Sequence, residues 1–468
     1  MILSLLLNSI AYGAQPCHTL SHFEPTTFRE SFPPPPSGGE KESIDVFSLP
    51  NVAISENFAL RWGDGKNISE ERAQELLTEF ERSWDHEINT LSFPPPLGSD
   101  AYLFNVYIGN SGSGAPSSYG AAGYYDSDAS GWPMIVIDLD ALDYADSYGV
   151  IPHEFFHAVQ HACDTFSYDG ESAWYWESTA IWIENEVYPE DPNYALFLFG
   201  FAFLPHKSLH FFDYADSGAT SEYYQYGAFV FPKFLSTFHV QVDDVRDSWV
   251  DSSWEQTPLG WWEEYFGTET YHNLVFEFAQ RNTYWDYPHK EWYDYYLDYY
   301  SEYYPQEDLS ITESVNSYGA SSWEVVDPDL MPEHLGVNYI ELSTPGYSEM
   351  ELGIVGDEVG DQGTPVSWRL GLVRKTGDQI VYQDLGAGQL QVIDDITSSE
   401  TLTLVVMPIA PNSGWGEQFS YEYLFTKYEE DIPQTEDEAP KSGCSTIRTT
   451  DASWFLIIFG LVCARKRD

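Results

Sequence analysis

Positive charge is what this sequence lacks most. It has 20 lysine and arginine residues against 75 aspartate and glutamate residues, which gives a formal net charge of -55 at pH 7. Because basic side chains that neutralise phosphates supply most of the affinity for nucleic acids, this composition excludes a nucleic-acid-binding protein. An acid surplus of this size keeps a protein soluble and monomeric, and it favours a saline medium in which charge repulsion is screened.

The C-terminal end lacks an apolar run long enough for an ordinary transmembrane helix. Residues 454–464 are apolar but fall short of the roughly 20 residues that such a helix needs. An acidic linker over residues 429–443 and Cys444 precede this segment, and a basic cluster follows at residues 465–467. This layout resembles the myxobacterial-type C-terminal sorting signals of bacterial surface proteins, so we expect residues 444–468 to be a sorting or anchor tail. The alternatives are a weak tail anchor and a frayed terminus.

The N-terminal end lacks a basic cluster, yet residues 2–7 are apolar and small residues follow up to Ala14. This pattern predicts a signal peptide over residues 1–14, with a buried first strand as the alternative. Residues 15–50 then form an extended, proline-rich lead-in. We therefore expect an exported protein that is held at the bacterial cell surface or outer membrane, with the cell envelope as a partner, or that is secreted after the tail is processed.

Cysteine is scarce, with four residues in the whole chain. Cys444 and Cys463 belong to the expected tail, which leaves Cys17 and Cys163 in the body of the protein. An isolated pair in an oxidising compartment usually forms a disulfide. We therefore expect Cys17 to be bonded to Cys163, with two unpaired thiols as the alternative.

Core-forming residues are plentiful, at 43% hydrophobic and 17% aromatic, so the chain is folded apart from local segments. The pattern predicts strands over 58–62 and 101–108 and a helix over 69–84 that is capped by Ser69. An apolar run over 134–137 follows, and from Pro152 to about Tyr304 the pattern is mostly helical. The aromatic residues over 285–304 favour packing between helices, with carbohydrate binding as the alternative. After Pro332 a period of two predicts the short strands of a β-sandwich, at residues 336–342, 367–373, 379–382, 390–393, 401–407 and 419–425.

Residues 152–157, Pro-His-Glu-Phe-Phe-His, carry the chemistry. On a helix that starts near Pro152, His153 and His157 project from one face with about 40° between them, so both can bind one metal ion. Glu154 is placed where its carboxylate can reach a water on that ion. The pattern still needs a third metal ligand.

Metzincins supply the third ligand from a longer motif, but Gln160 and Cys163 stand at its glycine and histidine positions, which excludes that class. His161 lies too far along the helix to share the ion, and we expect it beside the site or on the surface. The better candidate is Glu177, in a second predicted helix after the turn at Asp169-Gly170.

These residues resemble the gluzincin metallopeptidases, in which a glutamate on a following helix joins the two histidines. Trp174, Glu177 and Ala180 match the family's Trp-x-x-Glu-Gly-x-Ala motif, and Ser178 replaces its glycine. The resemblance covers roughly residues 100–240 and is closest to secreted, hyicolysin-like bacterial enzymes. It implies a zincin-like metallopeptidase domain of mixed sheet and active-site helices over residues 51–325. Together with the all-β sandwich that the alternating pattern predicts, over residues 326–428, this gives an α+β protein.

The resemblance also implies one zinc ion bound by His153, His157 and Glu177, with Glu154 as the general base for a zinc-activated water. Gluzincins often use a tyrosine or histidine from a later helix to stabilise the oxyanion, for which Tyr226 is our first choice and Tyr224 our second.

Three further features have alternatives that the sequence leaves open. Glu184, seven residues after Glu177, either orients a ligand histidine or is an exposed helical residue. The edge strand that gluzincins use to bind peptide backbones is either 121–125 or 134–137. The acidic loops 126–128 and 138–143 are candidates for calcium.

The expected function is that of an exported zinc-dependent endopeptidase that acts on protein or peptide substrates. The alternative is a cell-surface adhesin or binding module with a non-catalytic zincin scaffold. An aminopeptidase is disfavoured because the amine-binding Gly-Ala-Met-Glu-Asn type of motif is missing. The sequence does not establish whether activation requires removal of the lead-in.

Overall fold

The computed structural model describes residues 17, 19, 28, 31–33, 41–145, 147–213, 220–303, 313–315, 323–343, 348–386 and 390–427. All of them lie in one compact unit that ends at Tyr428. The predicted signal peptide, acidic linker and tail fall outside the described residues. Within the described part of the chain, no helix combines the length and the apolar character needed to cross a membrane.

A five-stranded mixed sheet forms the first layer. Its strands are β1 (Asn51–Ile54), β2 (Phe58–Trp62), β3 (Phe104–Ile108), β4 (Gly123–Ser127) and β5 (Pro133–Ile137), in the spatial order β1-β2-β3-β5-β4. The inner strands β2, β3 and β5 are parallel and fully buried, as expected of strands covered on both faces. The outer strands β1 and β4 are antiparallel to their neighbours. Of the two candidate edge strands, the one near residues 121–125 is therefore at the edge and the one near 134–137 is internal.

One helix connects β2 to β3, and the other helices lie between the two sheet regions. They are α1 (Glu70–Trp84), α2 (Leu139–Ala145), α3 (Val150–Cys163), α4 (Ala173–Val187), α5 (Leu198–Ala202), α6 (Tyr224–Gly227), α7 (Val230–Phe238), α8 (Val242–Val250), α9 (Pro258–Phe266), α10 (Thr268–Asn282) and α11 (Lys290–Tyr303). The prediction for α1 is confirmed, since the Ser69 side chain accepts a hydrogen bond from the Arg72 N–H at 3.1 Å.

Two of these helices, α3 and α4, are buried on nearly all sides. Residues 151–161 of α3 are all buried, and so are Trp174, Trp176 and Trp182 of α4. A helix with apolar residues on every face lies in the interior rather than at the surface. The few polar side chains that α3 and α4 also carry are therefore held inside a packed core.

The tyrosine-rich helix α11 also packs into the interior. Tyr293, Tyr296 and Tyr300 are buried, and the Tyr300 ring stacks on Phe199 with 3.9 Å between ring centroids. These contacts favour the packing interpretation of the aromatic segment over carbohydrate binding.

The C-terminal part consists of two sheets. The first has the order β11-β10-β13-β8-β6 and the second β12-β9-β14-β7. Their strands are β6 (Glu313–Val315), β7 (Glu324–Val325), β8 (Asn338–Leu342), β9 (Met350–Gly356), β10 (Ser367–Thr376), β11 (Gln379–Asp384), β12 (Leu390–Ile393), β13 (Thr401–Ile409) and β14 (Tyr421–Lys427). All pairs are antiparallel except β6 with β8. The α+β class is confirmed, although β1, β6, β7 and β9 were not predicted from the sequence.

A core shared by the two C-terminal sheets makes them a sandwich. Leu352 of β9 and Phe425 of β14 meet Leu372 and Leu404 of the other sheet in one apolar cluster. The outer face of that other sheet packs on α10, where the Tyr339 hydroxyl donates a hydrogen bond to the Ala279 carbonyl at 2.8 Å.

Candidate metal centre

The two histidines of α3 face a glutamate of α4. His153 Nε2 lies 3.2 Å from Glu177 Oε2, and His157 Nε2 lies 3.6 Å from the same oxygen. All three side chains are almost completely buried. The three residues predicted as metal ligands are thus brought together, as the spacing on α3 and the following helix led us to expect.

Cys17, near the N-terminus, adds a fourth side chain to this group. Its Sγ lies 3.4 Å from His157 Nε2, and the ligand atoms of Cys17, His153, His157 and Glu177 all lie within 4.8 Å of one another. The sequence analysis missed this role because no local pattern connects Cys17 with α3.

The predicted disulfide between Cys17 and Cys163 is wrong, since both cysteines are free. Cys163 is the last residue of α3, six residues and about 9 Å along the helix axis beyond His157. Cys17 Sγ lies beside His157 instead. A disulfide would need the two Cβ atoms within about 4.5 Å.

The four side chains fit a metal ion. In a tetrahedral zinc site with bonds of about 2.0–2.3 Å, neighbouring ligand atoms lie about 3.3–3.8 Å apart. The distances of Glu177 Oε2 and Cys17 Sγ from the histidine nitrogens are 3.2, 3.6 and 3.4 Å. Imidazole, carboxylate and thiolate are all common ligands of zinc. The group can therefore hold a metal ion, and no other such group of three or more His, Cys, Asp or Glu side chains occurs among the described residues.

Hydrogen bonds on the far side of each imidazole orient both histidines. The Gln160 amide nitrogen donates to the Trp176 carbonyl at 2.9 Å and to Thr179 Oγ1 at 3.0 Å. Its Oε1 therefore accepts the proton of His157 Nδ1, at 2.7 Å, which leaves Nε2 with its lone pair toward the group. From the sequence, Gln160 indicated only that the protein is not a metzincin.

Glu184 plays the same part for His153. Its Oε1 lies 2.8 Å from His153 Nδ1, and its side chain is 12% exposed. Of the two interpretations of Glu184, the orienting role is right and the exposed helical residue is wrong. An acceptor at Nδ1 fixes the tautomer that turns Nε2 toward a metal ion.

Glu154 lies next to the group without belonging to it. Its Oε2 accepts a hydrogen bond from Thr19 Oγ1 at 3.0 Å, whereas its buried Oε1 has no hydrogen-bond partner in the described part of the chain. Gly123 of β4 lies against the carboxylate so closely that a Cβ there would come within 2.7 Å of Glu154 Cγ. A glycine at this position is therefore part of how the site is built, which sequence analysis had not recognised.

The two tyrosine candidates differ in position. The Tyr226 hydroxyl donates to the Cys17 carbonyl at 3.1 Å, and its ring centroid is 6.3 Å from that of His153. The Tyr224 hydroxyl donates to the Ser208 carbonyl at 2.9 Å instead. Only our first choice therefore contacts the residues of the site.

His161 is outside the group, as expected, but it is buried rather than on the surface. Its Nδ1 lies 2.7 Å from the Tyr125 hydroxyl, and Phe28 packs on its ring with 4.4 Å between centroids. His161 thus packs against Tyr125 of the edge strand β4.

The electrostatics of the group favour a bound positive charge. Burial lowers the pKa of His153, but hydrogen bonds to Glu177 and Glu184 outweigh burial and raise that pKa to about 10. Burial raises the pKa of Glu177, but the charges and hydrogen bonds of both histidines lower it to about 2. Burial raises the pKa of Glu154 and of the Cys17 thiol. A proton or a metal ion between the histidines and Glu177 satisfies these groups.

The acidic loops proposed for calcium make other contacts. Asp128 Oδ1 accepts backbone hydrogen bonds within its own turn, and Asp138 accepts from Ser118 Oγ at 2.7 Å. Asp140 and Asp143 form ion pairs with Lys66 and Arg72. Neither loop gathers three carboxylates among the described residues.

Comparison with known proteins identifies a family whose function is unknown. A family model described as a family of unknown function matches residues 30–431, which include α3, α4 and both C-terminal sheets and begin after Cys17 and Thr19. No curated protein matches the chain.

Proposed function

The chain belongs to that family, DUF6055, and since the function of the family is unknown, we propose a function from the site: a zinc-dependent endopeptidase of the gluzincin type that acts on protein or peptide substrates. His153, His157 and Glu177 would bind the zinc ion. Export, with residues 1–14 as a signal peptide and 444–468 as a sorting tail, stays a prediction that rests on the sequence alone.

The observation that carries this proposal is the Glu154 carboxylate. It is completely buried beside the metal ligands, its Oε1 has no hydrogen-bond partner among the described residues, and its position is kept open by a glycine on the edge strand. Burial alone does not mark a base, since Glu87 is buried as completely in another part of the protein. What sets Glu154 apart is its place beside the metal ligands, where a carboxylate can take a proton from a water on a bound ion.

Several residues of the chain would act on a peptide substrate. A bound zinc ion would supply a Lewis acid that polarises a carbonyl group and makes water more acidic. Glu154 would take a proton from the attacking water and deliver it to the leaving amine. The Tyr226 hydroxyl would donate a hydrogen bond to the oxyanion. An extended peptide would pair with the edge strand β4, where Gly123 permits close approach to Glu154.

A second candidate function is a binding module with a structural metal site. Cys17 favours it, since four protein ligands are typical of structural zinc, whereas catalytic zinc keeps one position open. Such a site has no use for Glu154 as a base. Substitution of Glu154 therefore separates the two functions.

The test is a comparison of substrate cleavage in a Cys17→Ser background, because Cys17 Sγ is placed where a substrate or water would bind. In this background we compare Glu154→Gln with Glu87→Gln, a matched control. Glu87 is also completely buried, and neither of its carboxylate oxygens has a hydrogen-bond partner among the residues that the structure describes, but it lies outside the metal group.

We expect Glu154→Gln to reduce casein cleavage on the order of 10²–10⁴-fold, since general base catalysis contributes about that much, with zinc content unchanged. Glu87→Gln should keep the activity of its parent. If the Cys17→Ser protein binds zinc but never cleaves, or if Glu154→Gln cleaves at the parent rate, the proposed function is wrong.

A further inference from the structure

We propose that Cys17 is an inhibitory ligand, so that the N-terminal segment keeps the enzyme latent until this segment is displaced. The inference rests on the proposed function, because only an active site can be inhibited. It concerns two residues, Cys17 and Thr19, which engage each part of the catalytic apparatus.

The first contact is with the metal ligands. Cys17 Sγ is 3.4 Å from His157 Nε2 and forms one group with His153 and Glu177. A thiolate is a stronger zinc ligand than a neutral water, and here it would occupy the fourth position of a tetrahedral ion. That position is the one a catalytic site must leave for water or substrate.

The second contact is with the residues that handle protons. Thr19 Oγ1 donates to Glu154 Oε2 at 3.0 Å, and the Tyr226 hydroxyl donates to the Cys17 carbonyl at 3.1 Å. The base and the oxyanion donor are therefore both engaged by the same short segment. A backbone carbonyl takes the hydrogen bond that the substrate's oxyanion would need.

The third contact is with the edge strand. Cys17 forms a parallel bridge with Gly123, and Thr19 Oγ1 accepts a hydrogen bond from the Tyr125 N–H at 2.8 Å. Cys17 and Thr19 thus lie along β4, where an extended peptide substrate would pair. Cys17 is 3% exposed and Thr19 is fully buried, so a substrate cannot reach the site while they stay in place.

Activation needs no redox step. On release from a bound metal ion, the Cys17 sulfur would keep its electron pair and take up a proton from solvent, and no covalent bond of the segment would be broken. Hydrolysis of a peptide bond downstream of Thr19 by another peptidase would make the release permanent. In this respect Cys17 acts as a reversible ligand and not as a disulfide partner.

The experiment compares the full-length wild type with Cys17→Ser and with Cys163→Ser, a matched control at the other free cysteine of the described chain. The first readout is the absorption of the cobalt-substituted proteins, in which a thiolate ligand produces a charge-transfer band in the near ultraviolet. We expect the band in the wild type and in Cys163→Ser and its loss in Cys17→Ser. Absence of the band in the wild type overturns the proposal whatever the activities are.

The second readout is casein cleavage by the zinc-loaded proteins. If Cys17 leaves the metal site in less than about one-tenth of the wild-type molecules, Cys17→Ser should be at least about tenfold more active than the wild type. Cys163→Ser should stay at the wild-type rate. Thr19→Val keeps the size of the side chain but loses the hydroxyl, and should show a several-fold gain even if Cys17→Ser fails to fold.

The failures of this inference and of the proposed function can be told apart. Equal cleavage by wild type and Cys17→Ser overturns latency and leaves the peptidase intact. If neither protein cleaves although both bind zinc, the peptidase itself is wrong, and inhibition falls with it.

Discussion

The residues of the site fall into those that sequence spacing can identify and those that it cannot. His153 and His157 could be predicted because four residues on a helix place two side chains on one face. Gln160 lies on the same helix, and its hydrogen bond to His157 Nδ1 could have been inferred from its three-residue spacing. Cys17 and Thr19 could not, because their contacts with α3 span more than 130 residues of chain.

Glu184 offers a test of how an orienting residue affects metal binding. Its carboxylate accepts the His153 Nδ1 proton at 2.8 Å and makes the imidazole more basic. We expect Glu184→Gln to lower zinc affinity about 10- to 100-fold, measured by competition with a chelator of known affinity.

The control for this test is Glu186→Gln on the same helix. Glu186 lies 3.6 Å from Lys233 Nζ and does not contact His153. Zinc affinity should not change in this variant. Equal affinities in the two variants would mean that Glu184 does not act on the metal ligands.

At the scale of elements, the sequence predicted several helices and most strands but not how they pack. The period of the pattern is local, and it correctly indicated α1, α3, α4 and six of the C-terminal strands, β8 and β10 to β14. The order β1-β2-β3-β5-β4 depends on pairing between distant segments, which periodicity does not encode. For that reason the choice of edge strand stayed open, although it decides where a peptide can bind.

The edge strand makes a second prediction through Gly123. A methyl group there would come within 2.7 Å of Glu154 Cγ, so either β4 or the carboxylate must move. Since a misplacement of about 1 Å can cost about 10²-fold in rate, we expect Gly123→Ala in the Cys17→Ser background to lose about 10- to 100-fold in kcat. Zinc content should stay the same, because Gly123 provides no ligand.

Gly414→Ala in the same background is the control for this loss. A Cβ at Gly414 meets only the Gln362 side chain, which can move aside. This variant should retain the parent kcat. An unchanged kcat in Gly123→Ala would show that Glu154 tolerates displacement and argue against its role as the base.

For the whole molecule, the change from a helical to an alternating hydrophobic pattern near residue 332 predicted the sandwich. It did not predict that the sandwich packs against the helices. Val373, Val405 and Met407 of the sandwich belong to the same apolar core as the helices, and Gly371 lies against Phe276 of α10. Sandwich and helices therefore support each other within one compact unit. The net charge of -55 acts on the molecule as a whole and predicts weak binding to polyanions, whatever the site does.

Zinc content tests the proposal that the chain binds one zinc ion through the histidines of α3. The purified wild type, loaded with zinc and freed of excess, should hold about one zinc ion per chain, as should His161→Ala. His161 is a buried histidine of the same helix that is not in the metal group, so it is a matched control. His157→Ala should lose the zinc. A wild type that holds no zinc, or a His157→Ala variant that keeps it as firmly as His161→Ala does, would show that the histidines of α3 do not form a zinc site.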